Sequence, residues 1–387
     1  MPPGSQISPS RPTVLGVERI NNPHIIPIFD ELYRQPDIDF TGCVLGPLDP
    51  PRVALGWPDI DASAPYIQPW RNQEQLARYH RLAREADIVI WPGLKHPRGL
   101  RMIVGRNLRR QINVIWAERF LGRRRRSWLE YLAMRLTVRL VNSTNMHLMT
   151  MGENADTEHR AFGATRWNMW RFGYAVRPVR DQNIDLTTAP DGQWRLLFVS
   201  GLFRHKGLDL LLRALAGPSL VQHSWRLQVV GDGPERQALA SLAAELGIAA
   251  KVNFAGRVGR DSIDAYYRQA DILLLPSRFD GWGATVNEGM EYGLAIVTSD
   301  AVGSSYMLIE PGVNGFVFPN GSVEGLAESL EHLITKPGLC AAMRQAARHR
   351  IQRFRPAEAA RRFAAICRGL TGHGPMPDFH DDYGVRL

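Results

Sequence analysis

The chain reads as an α/β protein of two Rossmann-like domains, each a parallel sheet covered on both faces, facing each other across a cleft. Three observations predict this. Short apolar runs alternate with helical patterns along both halves, the run 272–275 stops at Pro276, and a stretch with little apolar pattern divides the halves. A length of 387 residues suits two domains, and a hydrophobic content of 44% is that of an ordinary globular protein with a sizeable core. No uninterrupted apolar run approaches the ~20 residues that a membrane-spanning helix needs. The opening Met-Pro-Pro-Gly lacks the charged start and apolar core of a signal peptide. Cys43, Cys340 and Cys367 are too few and too scattered for a disulfide framework or a metal cage, so a reducing, cytoplasmic setting is expected.

The elements follow in order. Residues 14–17 read as a first strand, Asn21 to His24 as a turn and 25–33 as a helix. Further strands are expected at 87–91, 112–116 and 146–151, with helical patterns at 73–85 and 100–110. Residues 176–192, which include Pro178 and Pro190, form the expected linker. Beyond it, a strand at 194–200 runs into Gly201-Leu-Phe-Arg204-His205-Lys206-Gly207 and an amphipathic helix carrying Leu208, Leu211, Leu212 and Leu215. A strand at 227–230 meets the tight turn Gly231-Asp232-Gly233-Pro234, a helix spans 235–246, and a strand and loop occupy 252–258. Residues 272–275 form a buried parallel strand ended by Pro276, and the tail after Gly372 is irregular.

The segment 276–300 carries the chemistry. Asp280 and Glu288 lie eight positions apart, the first on a turn and the second inside the helix that the turn opens. Gly281, Trp282 and Gly283 let backbone approach a ligand closely. The unpaired amides and positive dipole end of a helix starting at Ala284 and Thr285 would face an anion at the carboxyl edge of the strand, and a phosphate fits there. Glu288 is placed to accept bonds from a diol such as a ribose, and Asp280 to hold a second polyol. A sugar nucleotide combines all three groups.

This segment resembles the signature of the retaining glycosyltransferases of family four, which have the GT-B fold. Their signature has two glutamates separated by seven residues, followed by a small-residue helix; here Asp280 replaces the first glutamate. The resemblance implies that Glu288 binds the donor ribose and that Asp280 lies near the donor sugar. It extends in order over residues 194–333. The loop after the strand at 194–200 resembles the family's diphosphate-binding loop, with Lys206 matching its lysine; Gly201 stands where an arginine is usual, leaving Arg204 or His205 to supply that charge. Residues 252–258 resemble the strand and loop that cradle the nucleotide base, which brings Arg257 and Val258 to the donor. Residues 306–310 and 312–316 resemble the closing strand and turn. The domain limits that follow are 1–178, 190–352, a helix at 353–371 returning to the first domain, and a tail at 372–387.

The first half departs from the family. Asn21-Asn22-Pro23-His24 occupies the place of a Gly-Gly loop, and Ile115-Trp116-Ala117-Glu118-Arg119 stands where a histidine near the reacting carbon is expected. Glu118 is the candidate there, as a catalytic polar contact beside the acceptor, with His24 and His96 behind it. Met151-Gly152-Glu153 and Phe172-Gly173-Tyr174 resemble segments lining the interdomain cleft. Asp37 with Asp39, and Asp59 with Asp61, invite a metal reading, but each pair follows a Pro in a turn-like setting and reads as turn chemistry.

The implied activity is metal-independent, retaining transfer of a sugar from a UDP- or GDP-type donor to an acceptor hydroxyl in bacterial glycan, polysaccharide or glycolipid synthesis. No cofactor is called for, because the nucleotide sugar is a substrate. Lys206 and the amides near Ala284 would stabilise the departing diphosphate. Two alternatives come from other classes: a glycosyltransferase-like scaffold without turnover, and a basic nucleic-acid-binding protein. The second arises from a net charge of +9 and a sequence pI of about 9.8. Between Arg98 and Arg139 there are 12 Arg and no Lys against Glu118 and Glu130, a local excess of +10. No helix-turn-helix, zinc or RNA-binding signature accompanies these arginines. Arg123, Arg124, Arg125 and Arg126 precede a helix-like run with Trp128 and Tyr131, a composition suited to peripheral attachment to an anionic inner-membrane face.

Overall fold

The structure, a computed structural model, describes residues 11–54, 59–94, 97–118, 128–152, 155–188 and 191–379. It has two six-stranded parallel sheets flanked by helices, the GT-B arrangement. The first contains β1 (Thr13–Glu18), β2 (Asp39–Val44), β3 (Ile88–Trp91), β4 (Ile112–Glu118), β5 (Met146–Met151) and β6 (Asn168–Phe172), in the order β2-β1-β3-β4-β5-β6. The second contains β7 (Trp194–Val199), β8 (Trp225–Val230), β9 (Val252–Gly256), β10 (Ile272–Leu275), β11 (Ala295–Ser299) and β12 (Gly315–Phe318), in the order β12-β11-β10-β7-β8-β9.

Both orders reverse direction at one place. In the first sheet β1 pairs with β2 on one side and β3 on the other, with Val14 opposite both Phe40 and Ile88. In the second, Ile272 of β10 lies opposite Leu196 of β7 and Ala295 of β11. A parallel sheet opens a crevice at its carboxyl edge where the strand order reverses, so these two points foretell where a ligand is held. β3 and β10, each next to a reversal point, are buried from end to end, as the unbroken Ile-Leu-Leu-Leu of β10 requires.

One apolar cluster runs through the domain junction, from Phe29 and Trp116 by way of Phe172 and Trp282 to Val286 and Ile296. The final helix, Pro356–Leu370, lies against the Ile26–Leu32 helix of the first half. There Phe363 stacks on Trp116 with ring centres 5.6 Å apart, and Arg368 pairs with Asp37 at 3.0 Å. Residues 177–188, between the sheets, lack regular structure and are tied down by arginines of the second half: Arg268 donates to the carbonyls of Asp181 and Asn183, and Arg344 to those of Asp185 and Thr187. Asp271, fully buried, receives both Arg195 at 2.8 Å and Arg344 at 2.9 Å, so the buried charge is compensated.

One expectation needs correction. The closing strand is β12, while Ser305–Leu308 is a short helix. Ser304 begins it by accepting from the amide of Leu308 while donating its own amide to Trp282, which commits this segment to the turn beneath Asp280.

Candidate functional site

The loop after β7 and the loop after β10 flank the reversal point of the second sheet. Gly207, at φ 73°, closes the first loop, and a Cβ there would stand 1.9 Å from the carbonyl oxygen of Pro276. Only glycine lets the two loops lie this close. Arg278 then stitches them together. Its amide donates to His205 O at 2.7 Å, and its guanidinium grips both oxygens of Asp209 at 2.6 and 2.7 Å while reaching Arg204 O at 3.0 Å. The stitching sets Lys206 opposite Asp280, and the Lys206 ammonium donates to Asp280 Oδ2. Both side chains are mostly shielded, at 11% and 18% exposure.

The Asp280 backbone is held on both sides, its amide donating to Ala301 O at 3.1 Å and its carbonyl accepting from Gly303 N at 3.0 Å. Gly283 is left-handed at φ 84° and opens the Ala284–Glu291 helix, whose first turn borders the same cavity. Thr285 Oγ1 donates to Val199 O at 3.3 Å, aligning that helix with the end of β7.

The cavity measures about 680 Å³ and its opposite wall comes from the first half. Glu18 ends β1, Pro92 follows β3, and Arg19, Asn22, His24, Asp49 and Arg52 surround them, so this wall stands at the reversal point of the first sheet. Burial of the Glu18 carboxyl raises its pKa to about 7, against the lowering effects of Asn22, Arg19 and Arg52. Glu118 ends β4 and lies against Gly281, where a Cβ would be 2.0 Å from its Oε2. Tyr174, buried beside Glu118, is hydrogen-bonded to it; burial first and that carboxylate second hold the phenol protonated. His24 sits with its ring centre 5.4 Å from that of Tyr174.

The structure gathers Lys206, Asp280, Trp282, Gly283, Ala284, Thr285 and Glu118 around this cavity. Trp282 is almost wholly buried, and its ring serves the domain junction: Nε1 donates to Asn287 Oδ1 at 2.8 Å, Asn287 reaches across to Tyr174 O at 3.1 Å, and the ring rests on Gly173. Glu288 lies one turn behind the lining, where Tyr267 donates to its Oε2 at 2.6 Å. Gly201, Arg204, Arg257 and Val258 also stand outside the lining; Arg204 and Arg257 are exposed, the latter just past the edge strand β9. Asp61 accepts from Ser63 N and Oγ at 2.6 Å, as a turn aspartate does. His96, Arg119, Arg123 to Arg126 and Glu153 lie outside the described residues. Sequence reasoning missed Glu18, Arg19, Asp49 and Arg52; the available signal was a charged residue closing the apolar run 14–17.

The two parallel sheets and the cavity between them define the class by fold, a two-domain GT-B protein. Residues 179–350 match the family Glycosyl transferases group 1. An uncharacterized glycosyltransferase of Haemophilus influenzae is 34% identical over 144 residues, which is 37% of this chain and 40% of that protein. A lipopolysaccharide 1,6-galactosyltransferase of Escherichia coli is 24% identical over 159 residues, 41% of this chain and 44% of its own length. The chain thus spans less than half the length of these curated relatives. The crystal structure of Anabaena HepE in complex with UDP and glucose superimposes with a TM-score of 0.64 at 18% identity, covering 92% of this chain and 98% of that one. At that identity the likeness is one of fold.

Proposed function

We propose that the chain transfers a glycosyl group from a UDP- or GDP-type sugar, bound by the second domain, to an acceptor hydroxyl presented by the first. The observation that carries this reading is the meeting of Lys206, Asp280 and the start of the Ala284–Glu291 helix on one cavity. An ammonium and a helix N-terminus suit a diphosphate, and they act most strongly where its charge grows as the glycosidic bond breaks. Asp280 is then the acceptor of hydroxyls on the donor sugar. With charge neutralised in this way, transfer needs no metal, and the acceptor attacks on the face the diphosphate leaves, which retains anomeric configuration. The opposite wall, with Glu18, Asp49 and Glu118 beside Arg19 and Arg52, combines hydroxyl acceptors with cations and suits a polyol acceptor bearing an anionic group.

A second part of the reading places the work at an anionic bilayer. The Trp128–Leu140 helix leaves Trp128, Leu132, Leu136 and Leu140 between 42% and 72% exposed, four residues apart and hence in one stripe. An uncovered apolar stripe in the arginine-rich part of the chain is the pattern of an interfacial helix. Among the described residues no helix is long and apolar enough to cross a membrane.

The test uses the purified full chain. A thermal-shift screen against UDP, GDP and their sugars selects the donor, since a ligand of the native state raises the melting temperature by mass action. Proton NMR then follows donor turnover with EDTA present, and the anomer formed first reports retention. A folded chain that binds no nucleoside diphosphate overturns the reading. One that binds tightly without turnover in any acceptor mixture is a binding protein instead.

A further inference from the structure

Glu288 sits one helical turn behind Ala284, and its grip on a ligand depends on where its carboxylate is aimed. Tyr267, in the last turn of the Arg260–Gln269 helix, is 1% exposed and donates its hydroxyl to Glu288 Oε2 at 2.6 Å. Burial, then the nearby Glu288, holds the phenol protonated well beyond its ordinary range, so toward the carboxylate it acts as a donor. The tyrosine itself is immobilised. Its ring stacks on Tyr292 with centres 5.0 Å apart and planes 9° from parallel, and Tyr292 donates to Asp264 Oδ1 at 2.5 Å. The Arg268 guanidinium lies 5.7 Å from the Tyr292 ring centre. A chain of fixed groups from Asp264 to Glu288 therefore ends on one carboxylate oxygen.

The geometry points to Tyr267 as a positioning residue that aims Glu288 and so makes the site selective for a ribonucleotide over its deoxy analogues. This rests on the donor-site reading above. A glutamate free to swing adapts to a missing hydroxyl by turning to water. A glutamate held by Tyr267 leaves a half-buried acceptor less well satisfied when the hydroxyl is gone, and that loss is the source of discrimination. A tyrosine serving only to fill the core would need its ring and not its hydroxyl, which makes the two roles separable.

The experiment titrates wild type, Tyr267→Phe and Glu288→Gln by calorimetry with UDP, 2′-deoxy-UDP and 3′-deoxy-UDP, or the GDP series if guanine is preferred. Phe keeps the ring stacked on Tyr292. We expect wild type to favour the ribonucleotide over at least one deoxy analogue by about tenfold or more, the loss expected for an unpaired polar group. Tyr267→Phe should reduce that ratio about three- to tenfold, and adding it to Glu288→Gln should change little further, as for residues acting as one unit. An unchanged ratio in Tyr267→Phe overturns the inference, as does a wild type that binds the diphosphates without preference for ribose. A folded wild type that binds none of them removes the donor-site reading itself and this inference with it.

Discussion

Replacing Asp280 by Asn should tighten the binding of a free nucleoside diphosphate while weakening the preference for its sugar conjugate. The ammonium of Lys206 is already engaged by Asp280, and both side chains are largely shielded from water. An arriving diphosphate must share that ammonium and accept proximity to a carboxylate. Two unit charges about 4 Å apart at an effective dielectric of about 20 interact by about 4 kcal/mol before desolvation. An ammonium has three protons and can serve both partners, so only part of this is at stake, about 1–2 kcal/mol, or about five- to thirty-fold in affinity. The sugar increment moves the other way, because a hydroxyl bonded to a carboxylate gains about 1 kcal/mol more than one bonded to an amide. Calorimetric titration of both proteins with the diphosphate and its sugar conjugate reads the two effects separately, with melting temperature as the control for folding. Unchanged or weaker diphosphate binding by a stably folded Asp280→Asn protein would refute the reasoning.

Other perturbations probe the junction, the front wall and the surface. Gly173→Ala places a Cβ 2.2 Å from Trp282 Cη2 and should cost about 1–3 kcal/mol by overpacking, read as a lower urea midpoint; an unchanged midpoint would count against the close fit. Because the pKa of Glu18 rises from 4.5 to about 7, the native state keeps between these values a proton that the unfolded chain has released. Wild-type stability should therefore fall as pH climbs through that window. Glu18→Gln should lack this slope and be the more stable protein above it, by at most about 3 kcal/mol; parallel melting curves from pH 4 to 8 would contradict this. Trp128→Ser with Leu132→Ser should lower cosedimentation with phosphatidylglycerol vesicles about tenfold or more, since each buried apolar side chain contributes about 1.5–3 kcal/mol. Equal sedimentation would remove the bilayer from the reading.

Much of the second half was legible because its signals are local. The unbroken apolar run 272–275 stops at Pro276 and is β10, and the glycines around Trp282 do open a helix at Ala284. Lys206 and Asp280 meet because short loops follow adjacent strands of one sheet, a relation that strand order alone conveys. The parts that were not legible depend on distance in the chain. Glu18 and Lys206 come to one cavity from two different sheets, and no spacing encodes that approach. Tyr267 reaches Glu288 from another helix. Trp282 lines the cavity, and its ring also packs on Gly173 and Tyr174 of the other half, a contact that no local spacing encodes. The segment 306–310 looked strand-like, but Ser304 and the turn beneath Asp280 captured it as a helix.

The placement of the final helix bears on how the polypeptide matures. Trp116 and Phe172 belong to the first half, yet the ring that covers them is Phe363, on a helix that follows the whole second sheet. During translation these two aromatic faces stay without that cover until the second sheet has been made. The packing of the front half is thereby completed only by residues made after the back half, so the two halves mature together.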